Sequence, residues 1–131
     1  MLKSELIEFA KKFGFQKNWK TEDSMSLETD VNKNPNSPYF SAFSDRLNLS
    51  FGKDSFGNDM FSISVTQFST SNAMLAGRTL RYFDLKNFNE VNQVLFLLDV
   101  ASCFKEVPDS IKSYLRERRL EEILNGTERN Y

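Results

Sequence analysis

The sequence predicts an α+β fold with an N-terminal helix, a four-stranded antiparallel sheet, and two C-terminal helices packed on one face of the sheet. Three patterns predict it. Apolar residues recur at helical spacing at the N-terminus, they alternate with polar residues in the middle of the chain, and they form one long apolar segment in the second half. The 131 residues suit a single domain, with residues 125–131 expected to be frayed.

The first helix is predicted from an apolar stripe in an otherwise charged segment. Leu2, Leu6, Phe9 and Phe13 recur at intervals of three or four residues, which places them on one side of a helix. Gly14 follows the last of them, as glycine commonly does at the C-terminal end of a helix. The chain therefore opens with an amphipathic helix whose apolar side is available to a core.

The middle of the chain has the alternating pattern of half-buried strands. Apolar residues occupy every second position of three segments, and the positions between them hold mainly small polar residues. Strands covered on both faces would show continuous apolar runs, so the pattern favours an antiparallel sheet with one buried and one solvated face. The predicted strands are 25–31, 47–51 and 61–66, followed by a fourth at 79–83, and a hairpin loop at 52–59 joins the second to the third.

The segment 87–107 is the most apolar in the chain and is predicted to be the central helix. From Val94 onward it carries bulky apolar residues on nearly every side, so we expect other elements to cover it all round. Asn87 is expected to cap its first turn, and Glu90 to complete a capping box. Pro108 ends it.

The last predicted helix starts at residue 109 or 110, runs to 125, and changes its apolar side halfway along. Ile111, Tyr114 and Leu115 share one side, whereas Leu120 lies nine residues past Ile111, a rotation of about 180°. An apolar group that points away from the core is typical of an interface. Together with nearby arginines and the predicted hairpin tip, it gives the predicted partner-binding residues Leu120, Ile123, Leu124, Arg116, Arg119 and Phe56.

Composition argues against several function classes. The net charge of -1 provides no global attraction to nucleic acid, and the absence of histidine removes Ser-His-Asp triads, His-bearing zinc sites and the commonest general base. The single cysteine, Cys103, has no intramolecular partner for a disulfide. No segment approaches the roughly 18 apolar residues of a membrane span, and the N-terminus lacks a signal-peptide core. We therefore expect a cytoplasmic protein that does not contact membranes.

A nucleic-acid-contacting regulator is one alternative. Arg78 and Arg81 would hold phosphate and Tyr82 would stack on a base, with the arginines near the C-terminus adding charge. The sheet face predicted beside them is rich in Ser, Thr and Asn, whereas sheets that bind nucleic acid usually present more aromatic residues. Nucleic acid is therefore the less favoured partner.

A small metal-dependent enzyme is the other alternative. Asp54 and Asp59 bracket the predicted hairpin loop, and Asp99 interrupts the apolar run of the central helix. Carboxylates at such a loop more often shape the turn than bind a metal ion. No further motif supplies ligands, so this alternative ranks last.

The favoured prediction is a non-enzymatic protein-binding module that acts as an adaptor or as an inhibitor of a larger partner. The partner is another protein or a second copy of the chain. No catalytic residue, metal site or cofactor is predicted, because no spacing in the chain matches a known catalytic or ligand motif beyond chance. The bias toward Phe, Asn, Lys and Ser is associated with AT-rich coding sequences, as in many bacteria and phages.

Overall fold

The computed structural model describes residues 1–17, 23–29, 32, 34, 44–68 and 74–118. These residues form an N-terminal helix, a five-stranded antiparallel sheet and two C-terminal helices, which confirms the predicted α+β class. In chain order the elements are α1 (Lys3–Lys11), β1 (Gln16–Lys17), β2 (Ser24–Glu28), β3 (Ser44–Lys53), β4 (Asp59–Phe68), β5 (Met74–Asp84), a 3₁₀ turn (Leu85–Asn87), α2 (Glu90–Ser102) and α3 (109–118).

The sheet is a meander in which each strand pairs with the next along the chain, in the order β1-β2-β3-β4-β5. The strand β1 is the one that the sequence did not predict. It contains only Gln16 and Lys17, both exposed, which pair with Ser26 and Met25 of β2. Two polar residues cannot show an alternating apolar pattern, so only the pairing with β2 reveals this strand.

One face of the sheet forms the core and the other is polar, as the alternation predicted. Leu49, Ile63 and their neighbours on the first face are buried, together with residues of all three helices. On the other face, the Asn48 side-chain amide donates to Thr66 Oγ1 at 2.5 Å. All three helices therefore share the apolar face of the sheet.

The centre of the core is a cluster of phenylalanine rings. The Phe96 ring of α2 lies 6.0 Å from the Phe61 ring of β4 and 6.2 Å from the Phe9 ring of α1, measured between centroids. Phe88 and Phe83 contact the same rings, mostly edge to face. Each such ring pair stabilises the fold by about 0.5–1.5 kcal/mol beyond the burial of its area. The cluster joins α1, α2 and the sheet into one core.

The central helix begins later than the sequence predicted, because the chain first turns into the core. The 3₁₀ turn buries Leu85, and Phe88 follows it with 3% exposure, before α2 starts. Asn89, rather than Asn87, is the N-cap, and its side chain accepts a hydrogen bond from the Asn92 N–H at 3.2 Å. The prediction that Asn87 caps this helix is therefore wrong, since Asn87 belongs to the 3₁₀ turn.

The central helix also ends earlier than predicted, at Ser102 rather than near Val107. Lys105 N–H donates to the Asn32 carbonyl at 2.7 Å, and Asn34 N–H donates to the Cys103 carbonyl at 3.0 Å. These bonds hold residues 103–106, which follow a turn at Cys103, against residues 32 and 34 after β2, so the helix does not continue. Long-range hydrogen bonding replaces the helical bonds there.

Candidate protein-binding surface

The helix α2 has a buried side and an exposed side, although both are apolar. Phe96, Leu97 and Val100 are each 0% exposed. On the opposite side, Val91 is 67% exposed and Leu98 is 50% exposed. The expectation that the central helix is covered all round is therefore wrong for this side.

Two exposed residues of α2, Val91 and Leu98, and the partly buried Leu95 between them lie on one side of the helix, and we call these three residues the α2 stripe. Their spacing of four and three residues places them on one side of the helix, with the partly buried Leu95 between the two exposed ends. At 1.5 Å per residue the stripe is about 10 Å long. It presents aliphatic groups to the solvent.

The helix α3 runs antiparallel to α2, and Arg118, its last described residue, lies beside the start of the α2 stripe. The Tyr114 hydroxyl donates to Gln93 Oε1 at 3.1 Å, and Arg118 forms an ion pair with Glu90, which directly precedes Val91. The Arg118 guanidinium also lies over the Tyr114 ring, 4.9 Å from its centroid. The chain therefore continues into residue 119 from the N-terminal end of the stripe.

The ends of the α2 stripe are bordered by ion pairs. Glu90 and Arg118 lie at the Val91 end. Arg81 lies at the other end, with its Nε 2.7 Å from an oxygen of Asp99, the residue after Leu98. An apolar centre with a charged border is the arrangement found in protein–protein interfaces.

Phe56 is 87% exposed at the tip of the β3–β4 hairpin. Asp54 shapes the tip by accepting hydrogen bonds from the Phe56 N–H at 2.8 Å and the Asn58 N–H at 2.9 Å. The bond from the Asn58 backbone is the main reason why the pKa of Asp54 lies below its ordinary value of 3.8, and the charge of Lys86 lowers the same pKa. The loop therefore holds Phe56 out in solvent through a structural carboxylate.

Phe56 and the start of α2 lie at the same end of the sheet. The hairpin opens after the pair Lys53 and Asp59, and β5 finishes beside it, with Asp84 opposite Met60. The 3₁₀ turn and α2 follow β5 directly. The structure therefore places the tip of the hairpin and Arg118, the last described residue of α3, at one end of the molecule.

The other predicted partner-binding residues are only partly described. Arg116 is exposed on α3. Leu120, Ile123, Leu124 and Arg119 lie outside the described residues. Val91 and Leu98 were not among the predicted partner-binding residues, because apolar residues lie on nearly every side of the central helix. The polar residues Asn92 and Asp99, which border the stripe, were the available signal of its solvent side.

The residues of the nucleic-acid alternative do not share one surface. Arg81 pairs across the sheet with Ile63 on the core face, whereas Tyr82 pairs with Ser62 on the polar face. Adjacent strand residues point to opposite faces. Arg78, opposite Val65, is exposed on the side of Arg81, and the Arg81 guanidinium bonds to Asp99. These side chains do not combine a phosphate contact with a stacking platform.

The carboxylates of the metal alternative have separate partners. Asp54 binds the hairpin backbone, Asp59 Oδ1 lies 2.9 Å from Lys53 Nζ, and Asp99 bonds to Arg81. Within the described ranges, no group of three or more potential ligands is close enough together to hold a metal ion. The geometry therefore favours structural roles for these three aspartates.

A cavity of about 200 Å³ lies between the start of α1 and the hairpin end of the sheet. Two ion pairs line it, Lys3 with Asp23 at 3.1 Å and Lys53 with Asp59 at 2.9 Å, and Lys3 Nζ lies 5.1 Å from the centroid of the Phe51 ring. Because each lysine is paired with an aspartate, the charges of these four side chains cancel.

We found no match to the chain among protein-family models, curated proteins or solved structures. Among the helices that the structure describes, none is long and apolar enough to cross a membrane.

Proposed function

We propose that the protein is a non-enzymatic protein-binding module, an adaptor or an inhibitor, that docks a partner protein through the α2 stripe. The exposure of Val91 and Leu98, both large aliphatic residues on the most apolar helix of the chain, is the observation that supports the proposal. Single exposed apolar residues are normal, but a line of them marks an interaction site.

Burial of the stripe would supply the binding energy. Removing apolar surface from water stabilises a complex by about 25 cal/mol per Å², so covering several aliphatic side chains contributes a few kcal/mol before the cost of association. The ion pairs at the two ends, Glu90 with Arg118 and Arg81 with Asp99, would then form the polar rim that fixes orientation.

The shape of the stripe defines the partner's chemistry. A line of aliphatic groups about 10 Å long on a helix surface fits the apolar side of another helix, in which residues three and four apart pack against it. The partner segment that we expect is therefore an amphipathic helix with leucine or isoleucine at that spacing.

A double variant tests the proposal. Val91→Ser/Leu98→Ser removes the aliphatic groups from the stripe and leaves the buried side of α2 unchanged. The matched control is Tyr82→Ser, because Tyr82 is 66% exposed, close to the 67% of Val91, but lies on the polar face of the sheet. Each protein is immobilised, and proteins captured from its native cells are quantified by mass spectrometry, then purified and titrated by calorimetry.

We expect a partner that the unmodified chain and Tyr82→Ser bind equally, and that the double variant binds roughly 10-fold or more weakly, the loss that 1.4 kcal/mol produces. The melting temperatures of the variants show whether the folded state is retained. A folded double variant that binds the purified partner with unchanged affinity would contradict the assignment of the surface.

A further inference from the structure

We propose that the α2 stripe is occupied by the C-terminal segment 119–131 of a second copy of the chain. This inference rests on the proposed function and names the partner. The motivation is that one chain carries two complementary features: an exposed aliphatic stripe on α2, and a segment of 13 residues after α3 that contains Leu120, Ile123 and Leu124.

The tail sequence has the pattern that the stripe requires. Leu120, Ile123 and Leu124 are spaced by three and four residues, so in a helix they form one aliphatic side. We name these three residues the tail stripe. In a helix, Leu120 and Leu124 would be about 6 Å apart along the axis, so the tail stripe would cover somewhat more than half of the roughly 10 Å from Val91 to Leu98.

The direction of α3 explains why the occupant belongs to another copy. Ile111 of α3 is buried, and Tyr114 and Leu115 pack against the core. Leu120 is rotated by about 180° from Ile111, so if α3 continues as a helix its tail stripe faces away from its own core. Because Arg118 already lies at the start of α2, the chain would have to reverse sharply to cover its own stripe, whereas a second copy meets the tail without any reversal.

The contact closes with two-fold symmetry. If the tail of one copy lies on the α2 stripe of its partner, the same contact repeats in the other direction, and both apolar surfaces of both copies are covered. A third copy has no surface to bind, because the α2 stripe and the tail stripe of both copies are covered. A dimer is the expected assembly.

Charges at the two surfaces agree with this contact. Glu121 and Glu122 lie within the tail stripe's segment, and Arg81 lies at the Leu98 end of the α2 stripe, where its guanidinium bonds to Asp99. Opposite charges around an apolar contact favour one orientation over others.

The edge of the sheet at β5, the last strand in the order of the described strands, is a less suitable contact between copies. The edge strand β5 has 11 residues, enough to pair with another strand. It carries Arg78 and Arg81, however, and its register with β4 is irregular at two places, between Ile63 and Ser64 and between Gln67 and Phe68. Charged residues and irregularities are the features that keep edge strands from pairing.

The oligomeric state of the full chain tests the inference. Light scattering after size exclusion, over a range of concentrations, should give the unmodified chain and Tyr82→Ser twice the mass of 15.2 kDa. Val91→Ser/Leu98→Ser and Leu120→Ser/Ile123→Ser should each raise the dimer dissociation constant roughly 10-fold or more. Circular dichroism and melting temperature show whether each variant is folded.

Mixing the variants distinguishes an exchanged tail from other dimers. A mixture of the two double variants contains one intact contact per heterodimer, from the unmodified tail of one and the unmodified stripe of the other. We expect this mixture to form more dimer than either variant alone. A chain that combines all four substitutions should form no such dimer with the unmodified chain, because that pair has no intact contact.

A monomeric unmodified chain would overturn the inference, and so would a dimer that neither double variant weakens. If the chain is monomeric while Val91→Ser/Leu98→Ser loses a captured partner, the proposed function stands and only the identity of the occupant is wrong. If the chain is a dimer of the expected kind and captures no other protein, the module binds its own copy and the adaptor role is wrong.

Discussion

Leu97 and Leu98 are neighbours on α2 and have opposite environments. Leu97 is 0% exposed and packs in the core with Phe96 and Val100, whereas Leu98 is 50% exposed on the stripe with Val91. Both residues are leucines of the same helix, so they have the same side chain and the same helix propensity. Their difference shows that apolar composition alone does not determine which side of this helix is covered.

The difference also separates two uses of apolar surface. The inner side of α2 contributes to stability through contacts with α1 and the sheet, including the Phe61–Phe96 ring pair at 6.0 Å. On the outer side, Val91 and Leu98 are 67% and 50% exposed, so they contribute less to stability and leave apolar surface available for binding. A substitution on the inner side should affect folding, and one on the outer side should affect association.

The largest effect is expected from truncating the inner leucine. Leu97→Ala leaves a cavity in a close-packed core, so the free energy of unfolding should fall by about 2–5 kcal/mol. Leu98→Ala should lower it by less than about 1 kcal/mol, because much of that side chain is already in water. Urea denaturation of both variants, at a concentration where the chain is monomeric, measures the difference. Equal losses would show that the outer side is also covered in the monomer.

A smaller effect on the free energy of unfolding is expected from the N-cap of α2, the residue at which the helix begins. Asn89→Ala removes the side chain that accepts from Asn92 N–H, so the free energy of unfolding should fall by about 1 kcal/mol. Asn87→Ala should lower it less, because Asn87 does not cap the helix. Thermal or urea unfolding compares the two. A larger loss for Asn87→Ala than for Asn89→Ala would indicate that Asn87 caps the helix, as the sequence predicted.

The smallest effect is expected at the loop that presents Phe56. Since the pKa of Asp54 is lowered in the folded state, its contribution to stability is fully present well above 3.8 and is lost as the pH falls through the folded pKa. An NMR titration of the Asp54 carboxyl group should give a midpoint below 3.8. In Asp54→Asn, the shifts of the Phe56 and Asn58 amides should lose this acid transition. A midpoint at or above 3.8 would contradict the hydrogen bonds that we describe.

The strands illustrate what local pattern can predict. The alternation in 47–51 and 61–66 predicted both that these segments are β-strands and which face of the sheet each side chain occupies. Successive side chains of a strand point to opposite faces, so only two directions are possible. The observed strands extend further, Ser44–Lys53 and Asp59–Phe68, since pairing partners lengthen a strand beyond its patterned centre. The two-residue β1 exists only through its pairing with β2.

The candidate surface was predictable only in part. The rotation between Ile111 and Leu120 follows from counting residues, so the sequence indicates a second apolar side in the last helix. The exposed side of α2 does not follow from counting alone, because apolar residues lie on nearly every side of that helix from Val94 onward. Its exposure depends on where α1, α3 and the sheet lie around it.

Short-range spacing of residues was enough to predict the α+β class and the buried face of the sheet, whereas the change of side in the last helix stays a prediction, because Leu120 lies outside the described residues. The tertiary structure alone decided where α2 begins and ends and which of its apolar sides is left in water. Burial of Phe88 and the bonds from Asn32 and Asn34 to residues 103–106 set those limits. These contacts join residues far apart in the chain, so no local pattern records them.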